Sequence, residues 1–154
     1  VGFGPAGQTV TRSLVKRGTR VIVIDLNPHI AQLAEADGAE GHHGDASHAE
    51  ILEHAGVSRA VAVVVTVPDP RLAIMVIQQT RALGPQARIL ARARYSIWCD
   101  RIREEGAETV IDEESGMGRR LAASTGQLLK SMERANASWA GMAPTPEDRR
   151  EPSR

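Results

Sequence analysis

The sequence predicts a doubly wound α/β fold, a parallel sheet of six strands with helices on both faces. Three observations carry this expectation. Apolar, β-branched runs of strand length alternate with stretches of helical periodicity as far as residue 112. Glycine, proline and capping residues punctuate the junctions between them. The chain also opens on "VGFGPAG" (Val1–Gly7), a G-x-G-x-x-G turn of the kind that leads a buried strand into a helix. Strands and helices in this rhythm call for right-handed crossovers between parallel neighbours.

The elements follow in order. Val1 alone stands ahead of the glycine turn, so the chain reads as a piece of a larger protein whose first strand is cut short. Past the turn, Ala6, Val10 and Leu14 recur at helical spacing up to a C-cap at Gly18. "RVIVID" (Arg20–Asp25) is the second strand. Asn27 and Pro28 open a helix that carries Ile30, Leu33 and Ala34 and stops at Gly38. A short third strand is expected over Ala39–His42, and "SHAE" (Ser47–Glu50) reads as a capping box ahead of Ile51, Leu52 and Ala55. "AVAVVVT" (Ala60–Thr66) is the most apolar run and predicts a central strand buried on both faces. Asp69 and Pro70 start a helix with Leu72, Met75, Val76 and Ile77, closed by Gly84-Pro85. "RILARA" (Arg88–Ala93) is the fifth strand. Ser96 is read as the cap of a helix ending at Gly106, and "ETVI" (Glu108–Ile111) is the sixth strand.

A final helix over 115–135 sets Met117, Leu121, Leu128, Leu129 and Met132 mostly on one stripe. That stripe packs on its own sheet or pairs with another subunit. Residues 136–154 are Pro-rich, charged and poor in bulky apolar side chains, which predicts a disordered tail. The expected organisation is a domain over 1–112, a helix over 113–135 and the tail.

Composition narrows the function. With 19 basic and 19 acidic residues the net charge is zero, against a nucleic-acid binder. The single Cys99 excludes an internal disulfide framework. No apolar run reaches the roughly 18 residues that span a bilayer.

The glycine turn gives the chemistry. Gly2 permits the tight turn, Gly4 lets a phosphate approach the main chain, and Gly7 lets the helix pack close to the sheet. The phosphate rests on amides at the helix N-terminus. An acidic residue about 20 positions on is then needed to accept from ribose hydroxyls. Asp25, last in "VIVID", stands there. A carboxylate at that place repels a 2′-phosphate, and Leu26 and Asn27 supply no cation, so NADP is disfavoured. NAD, AMP, ADP and ATP stay open. Asp45 of "GDAS" (Gly44–Ser47) is placed to accept from an adenine amine or simply to cap near Ser47, with Ala46 covering the ring. Thr66, Val67 and Pro68 border the sugar and phosphate. His42, His43 and His48 read as a solvated loop, Cys99 as a packing residue, and Trp98 and Trp139 as core or interface. Arg92 and Arg94 share a strand face, where they reach a phosphate or an acidic ligand at the strand end or pair with a buried carboxylate.

Taken together, "VGFGPAG", "VIVID", "GDAS", "VVVTVPD", "RILARAR" and "GAETVIDEE" resemble the Rossmann-like regulator-of-potassium-conductance nucleotide-binding domain, the RCK N-terminal or TrkA-N family. Within it the sequence is most similar to the cytoplasmic domain of Kef-type monovalent cation/proton antiporters. The resemblance runs from Val1 to about Met132. It implies a regulatory module rather than an enzyme, with no catalytic residue and no metal. Such modules lie at the cytoplasmic face of the bacterial inner membrane as part of a transport protein and bind NAD(H), AMP or ATP. They act as homodimers whose last helix crosses to the partner. By position, the ligand would meet Gly2, Phe3, Gly4, Pro5, Ala6 and Gly7, then Asp25, Leu26 and Asn27, Gly44, Asp45 and Ala46, and Thr66, Val67 and Pro68. Pro5 departs from the arginine common in the family and has no N–H to donate. That favours AMP, with NAD(H) next and ATP or ADP behind. Some Kef-type systems respond to glutathione or its conjugates; Arg94 is the one residue here to watch for that role. Two other readings stay open at this point. One is a fragment of an NAD-dependent oxidoreductase, and the other a peripheral subunit of a potassium uptake system.

Overall fold

The computed structural model describes residues 1–140. Its elements are α1 (Pro5–Val15), β1 (Ile22–Asp25), α2 (Pro28–Ala36), β2 (Glu40–His43), α3 (Ala49–His54), β3 (Ala62–Val65), α4 (Pro70–Leu83), β4 (Arg88–Ala93), α5 (Cys99–Glu104), β5 (Thr109–Asp112) and α6 (Glu113–Ala140). All strand pairs are parallel. β1 pairs with β2, while β3, β4 and β5 form a second set in that order.

Two residues join the sets. The Val1 nitrogen donates to the Val64 carbonyl at 2.7 Å, and the Thr66 amide donates back to the Val1 carbonyl at 2.9 Å. On the other side the Gly2 amide donates to the Ile24 carbonyl at 2.9 Å. The order is therefore β2, β1, Val1–Gly2, β3, β4, β5, the doubly wound arrangement with its first position held by two residues. Next to Val1, the facing edges of β1 and β3 part around a cavity of about 640 Å³, lined by Val21, Val23, Val57 and Val63 among others.

Helices cover both faces of the sheet because the pleat sends successive side chains opposite ways. Val23 joins a small core with Phe3, Ala34 and Ala39, and its neighbour Ile24 joins the main core with Leu52, Val65, Val76, Ile77, Ile89 and Ile102. Fully buried side chains of this size contribute about 1.5–3 kcal/mol each. Proline at the first position starts α1, α2 and α4, where its missing N–H costs no helical bond. Gly2 takes φ +86°, a conformation L side chains rarely adopt, and a Cβ on Gly7 would lie 2.2 Å from the Gly2 carbonyl oxygen.

Several local expectations need correction. The third and sixth strands lie one residue later than read, at Glu40–His43 and Thr109–Asp112. The N-cap of α3 is His48 without a side-chain bond, so Ser47–Glu50 is not a capping box; the Ser47 amide is instead taken by Asp45. Ser96 caps nothing. It starts a 3-10 turn, Ser96–Trp98, and its hydroxyl donates to both oxygens of Asp112 at 3.0 and 2.8 Å. His42 and His43 belong to β2 rather than to a loop. The last helix continues to Ala140, through the first residues assigned to the tail; 141–154 lie outside the described residues.

The chain divides into Val1–Ser115 and Gly116–Arg154. In the second unit, helix α6 exposes Met117, Leu121, Leu128, Leu129 and Met132, each more than half accessible. Among the described residues no helix is long and apolar enough to cross a membrane. Where β5 passes into α6, Asp112 Oδ1 accepts from the Ser115 amide at 3.0 Å. Bonds from the Ser115 amide and hydroxyl, then from the Ser96 hydroxyl, push the Asp112 pKa down to about 2 from an ordinary 3.8.

Two predictions arise here. Gly7→Ala forces a methyl group against a backbone carbonyl and should cost about 2–3 kcal/mol in a urea unfolding titration; an unchanged midpoint would show that α1 can retreat freely. A depressed carboxylate adds stability that is present above the ordinary value and lost as pH falls through the folded one. Between pH 3.8 and about 2, wild type should therefore lose stability faster than Asp112→Asn, measured by chemical unfolding at each pH. Parallel curves would count against the bonds to Asp112.

Candidate functional site

In a parallel sheet the C-terminal strand ends share one edge, and a crevice forms where the strand order reverses. Here that edge gathers the glycine turn and the residues following β1, β2 and β3.

Asp25 anchors it. Its Oδ2 accepts from the Phe3 amide at 2.8 Å and its Oδ1 from the Asn27 amide at 2.9 Å. The carboxylate is half-buried, and each oxygen can accept a further bond. It therefore stands fixed in orientation with acceptor capacity to spare. Asn27 also accepts from the His29 amide at 3.0 Å to cap α2, and the Leu26 carbonyl accepts from His43 Nε2 at 3.0 Å. These bonds order the loop after β1 while Leu26 keeps an exposed side chain.

The turn presents bare backbone. The N-cap of α1 is Gly4, and no side chain caps it. By contrast, Asp69 accepts from the Arg71 and Leu72 amides at 2.8 and 3.1 Å to cap α4. The Ala6 and Gly7 amides in the first turn of α1 thus have no side-chain partner, with the positive end of the helix dipole behind them. A Cβ at Gly4 would meet nothing within 4 Å, so the space before the turn is open. Pro5 contributes no donor. The Phe3 ring is fully buried in the small core, so only its backbone belongs to the site.

The remaining expected residues fall beside these. The Gly44 amide donates to the Asp25 carbonyl at 3.0 Å, extending the β1–β2 ladder into the "GDAS" loop. Asp45 Oδ1 accepts from the Ser47 amide at 2.9 Å, and bonds from Ser47 hold its carboxyl below the ordinary value. The Ala46 methyl is buried in the main core. Thr66 closes the floor: its hydroxyl donates to the Gly2 carbonyl at 2.8 Å and to the Val1 carbonyl at 3.1 Å. Val67 is half-buried against the core, and Pro68 is exposed.

Some partners were not legible in advance. Gln8 Nε2 donates to the Phe3 carbonyl at 3.2 Å and braces the turn from within α1. Of the two strand arginines, Arg92 pairs with Glu113 (Nε to Oε2, 2.6 Å), and Arg94 lies past the end of β4, exposed over the Tyr95 ring. Cys99 is buried in the core, where burial pushes its thiol pKa up and away from reactivity. Trp98 packs against the same core.

Comparison with known proteins bears on the fold and the family. The TrkA-N domain model matches residues 1–113. The glutathione-regulated potassium-efflux system protein KefC of Cronobacter sakazakii is 32% identical over 105 residues, which is 68% of this chain and 17% of that protein. KefC of an Escherichia coli strain is 30% identical over 107 residues, again 17% of its length. The chain thus spans only 17% of these curated relatives. Among solved structures, the TrkA-N domain of the Escherichia coli inner membrane protein ybaL superposes with a TM-score of 0.75 at 25% identity, covering 79% of this chain and 90% of that one. The Kef CTD of Shewanella denitrificans, in its AMP-bound form, gives 0.73 at 25% identity over 91% of this chain and 87% of its own. Motif order, strand order and the match over residues 1–113 converge on one assignment: this chain belongs to the TrkA-N domain family.

Proposed function

We propose that the crevice binds an adenine nucleotide, AMP first and NAD(H) next, and that the chain is the regulatory domain of a Kef-type potassium/proton antiporter. The observation that carries this is the Asp25 carboxylate, fixed by two amides beside an uncapped helix N-terminus. Ribose hydroxyls would donate to Asp25, and the phosphate would rest on the Ala6 and Gly7 amides. Asp45 would accept from the adenine amine with an oxygen not engaged by Ser47, while Gly44 and Ala46 would offer backbone to the ring. Thr66, Val67 and Pro68 would border the sugar, as would Leu26 and Asn27. The AMP-bound form of the similar Shewanella denitrificans Kef CTD supports the first-named ligand. Pro5 removes one donor from the phosphate site, which suits a single phosphate better than a longer chain. Asp25 stands where a 2′-phosphate would be repelled, against NADP.

In this reading the transport unit is the membrane part of the same polypeptide, and the domain works at the cytoplasmic face of the inner membrane. The accessible stripe Met117, Leu121, Leu128 and Met132 supports a homodimer formed through α6. Nucleotide gates transport by favouring one dimer arrangement over another, and only its difference in affinity for the two can do so; about 1.4 kcal/mol shifts the ratio tenfold.

Isothermal titration with AMP, NAD, NADH and NADP tests the ligand assignment. AMP should bind most tightly and NADP not measurably, and Asp25→Ala should weaken AMP by about 1.5–3 kcal/mol, roughly 10- to 150-fold. An unchanged affinity, or preference for NADP, would remove Asp25 from the ribose. For the dimer, replacing Leu121 and Leu128 by Asp should give monomers in sedimentation equilibrium; a persistent dimer would place the interface elsewhere.

A further inference from the structure

The part of the site that the ligand reading does not use is Arg92. It sits on β4, where Ile89, Ala91 and Ala93 face the core and Arg92 faces the other way, its side chain 24% accessible. From there it spans two elements. Nη1 donates to the Thr66 carbonyl at 3.3 Å, and Nε donates to Glu113 Oε2 at 2.6 Å. Thr66 in turn donates its hydroxyl to the Gly2 carbonyl. A continuous set of bonds thus runs from the glycine turn through Thr66 and Arg92 to Glu113, the first residue of α6.

Other side-chain ties also hold the start of α6. Asp112 accepts from Ser96 and Ser115, and Glu114 Oε2 accepts from the Ser96 amide at 3.0 Å. Apart from the bond from Ser115, itself in α6, these end on Ser96 in the turn after β4. Among the described residues, the Glu113 tie alone leads back to the crevice floor. Arginine suits the place, since a planar guanidinium serves two acceptors at once and an ammonium does not hold that fork.

We propose that Arg92 is a positioning residue that couples occupancy of the nucleotide crevice to the first turn of α6, by latching Glu113 to the carbonyl of Thr66. This rests on the nucleotide reading of the crevice. The pair has two states, bonded or released to water, and both partners are open enough for solvent to compete, with Glu113 46% accessible. A nucleotide over Thr66 excludes water from the guanidinium, lowers the local dielectric and favours the bonded state. Coupling is reciprocal, so the closed latch favours the nucleotide by the same factor.

Hydrogen exchange of the full chain, read by mass spectrometry with and without saturating AMP, tests this. In wild type, AMP should slow exchange over residues 113–118 about fivefold, the lower end of ordinary coupling. Arg92→Gln and Glu113→Gln should each abolish that response and lower AMP affinity by the same factor. Arg92→Lys should restore only part of it. A residue that merely stabilised the fold would shift unfolding and leave the AMP response intact. If Arg92→Gln does not fold, Glu113→Gln at the exposed end of the pair carries the test. Wild type that binds AMP without slowing exchange at 113–118, or variants that keep the full response, overturns the latch and leaves the nucleotide reading standing. Failure of AMP to bind wild type overturns both.

Discussion

The two amide bonds to Asp25 are the constraint around which the crevice is arranged. Phe3 and Asn27 are far apart in sequence, yet both donate to one carboxylate at 2.8 and 2.9 Å. Charge-assisted bonds of this kind are shorter and about twice as strong as neutral ones. They tie the glycine turn to the end of β1 and hold the carboxylate in one orientation. The geometry needs Gly2 at positive φ so that the Phe3 amide turns toward Asp25, and it needs Gly7 bare so that α1 can close over the turn.

Around that anchor the chain separates packing from recognition residue by residue. Phe3 and Ala46 send side chains into the cores, and Thr66 bonds its hydroxyl to the turn, so much of the crevice wall is backbone. Backbone groups are fixed by the sheet and helix ladders rather than by flexible side chains, which suits the nucleotide site proposed above. The empty N-cap of α1 fits the same division. The helices α2 and α4 satisfy their first amides with Asn27 and Asp69, whereas α1, like the short α3 and α5, has no side-chain cap. The cavity between β1 and β3 is lined mainly by apolar side chains set along strand edges, and Asp25 is not among its walls.

Much of this was legible in the sequence because it depends on local spacing. The alternation of elements, the stripe on α6, the prolines at helix starts and the pairing of "GFGPAG" with the terminal Asp of "VIVID" are all written in periods and short motifs. What escaped depends on tertiary neighbours. Ser47 looked like a cap, but Asp45, two residues back, takes its amide. Ser96 looked like another, and Asp112 across the sheet edge competes for its hydroxyl. His43 gave no local hint that its ring would reach the Leu26 carbonyl. For Arg92 the sequence left a ligand and a carboxylate as equal partners, and only the fold, by bringing Glu113 beside β4, chose the carboxylate.

A crystal structure of the chain with AMP is the most direct test. Ribose hydroxyls should lie within hydrogen-bond distance of Asp25, its bonds to Phe3 and Asn27 unbroken, with the phosphate on the Ala6 and Gly7 amides. An empty crevice in crystals grown at saturating AMP, or AMP lodged between β1 and β3, would contradict that placement.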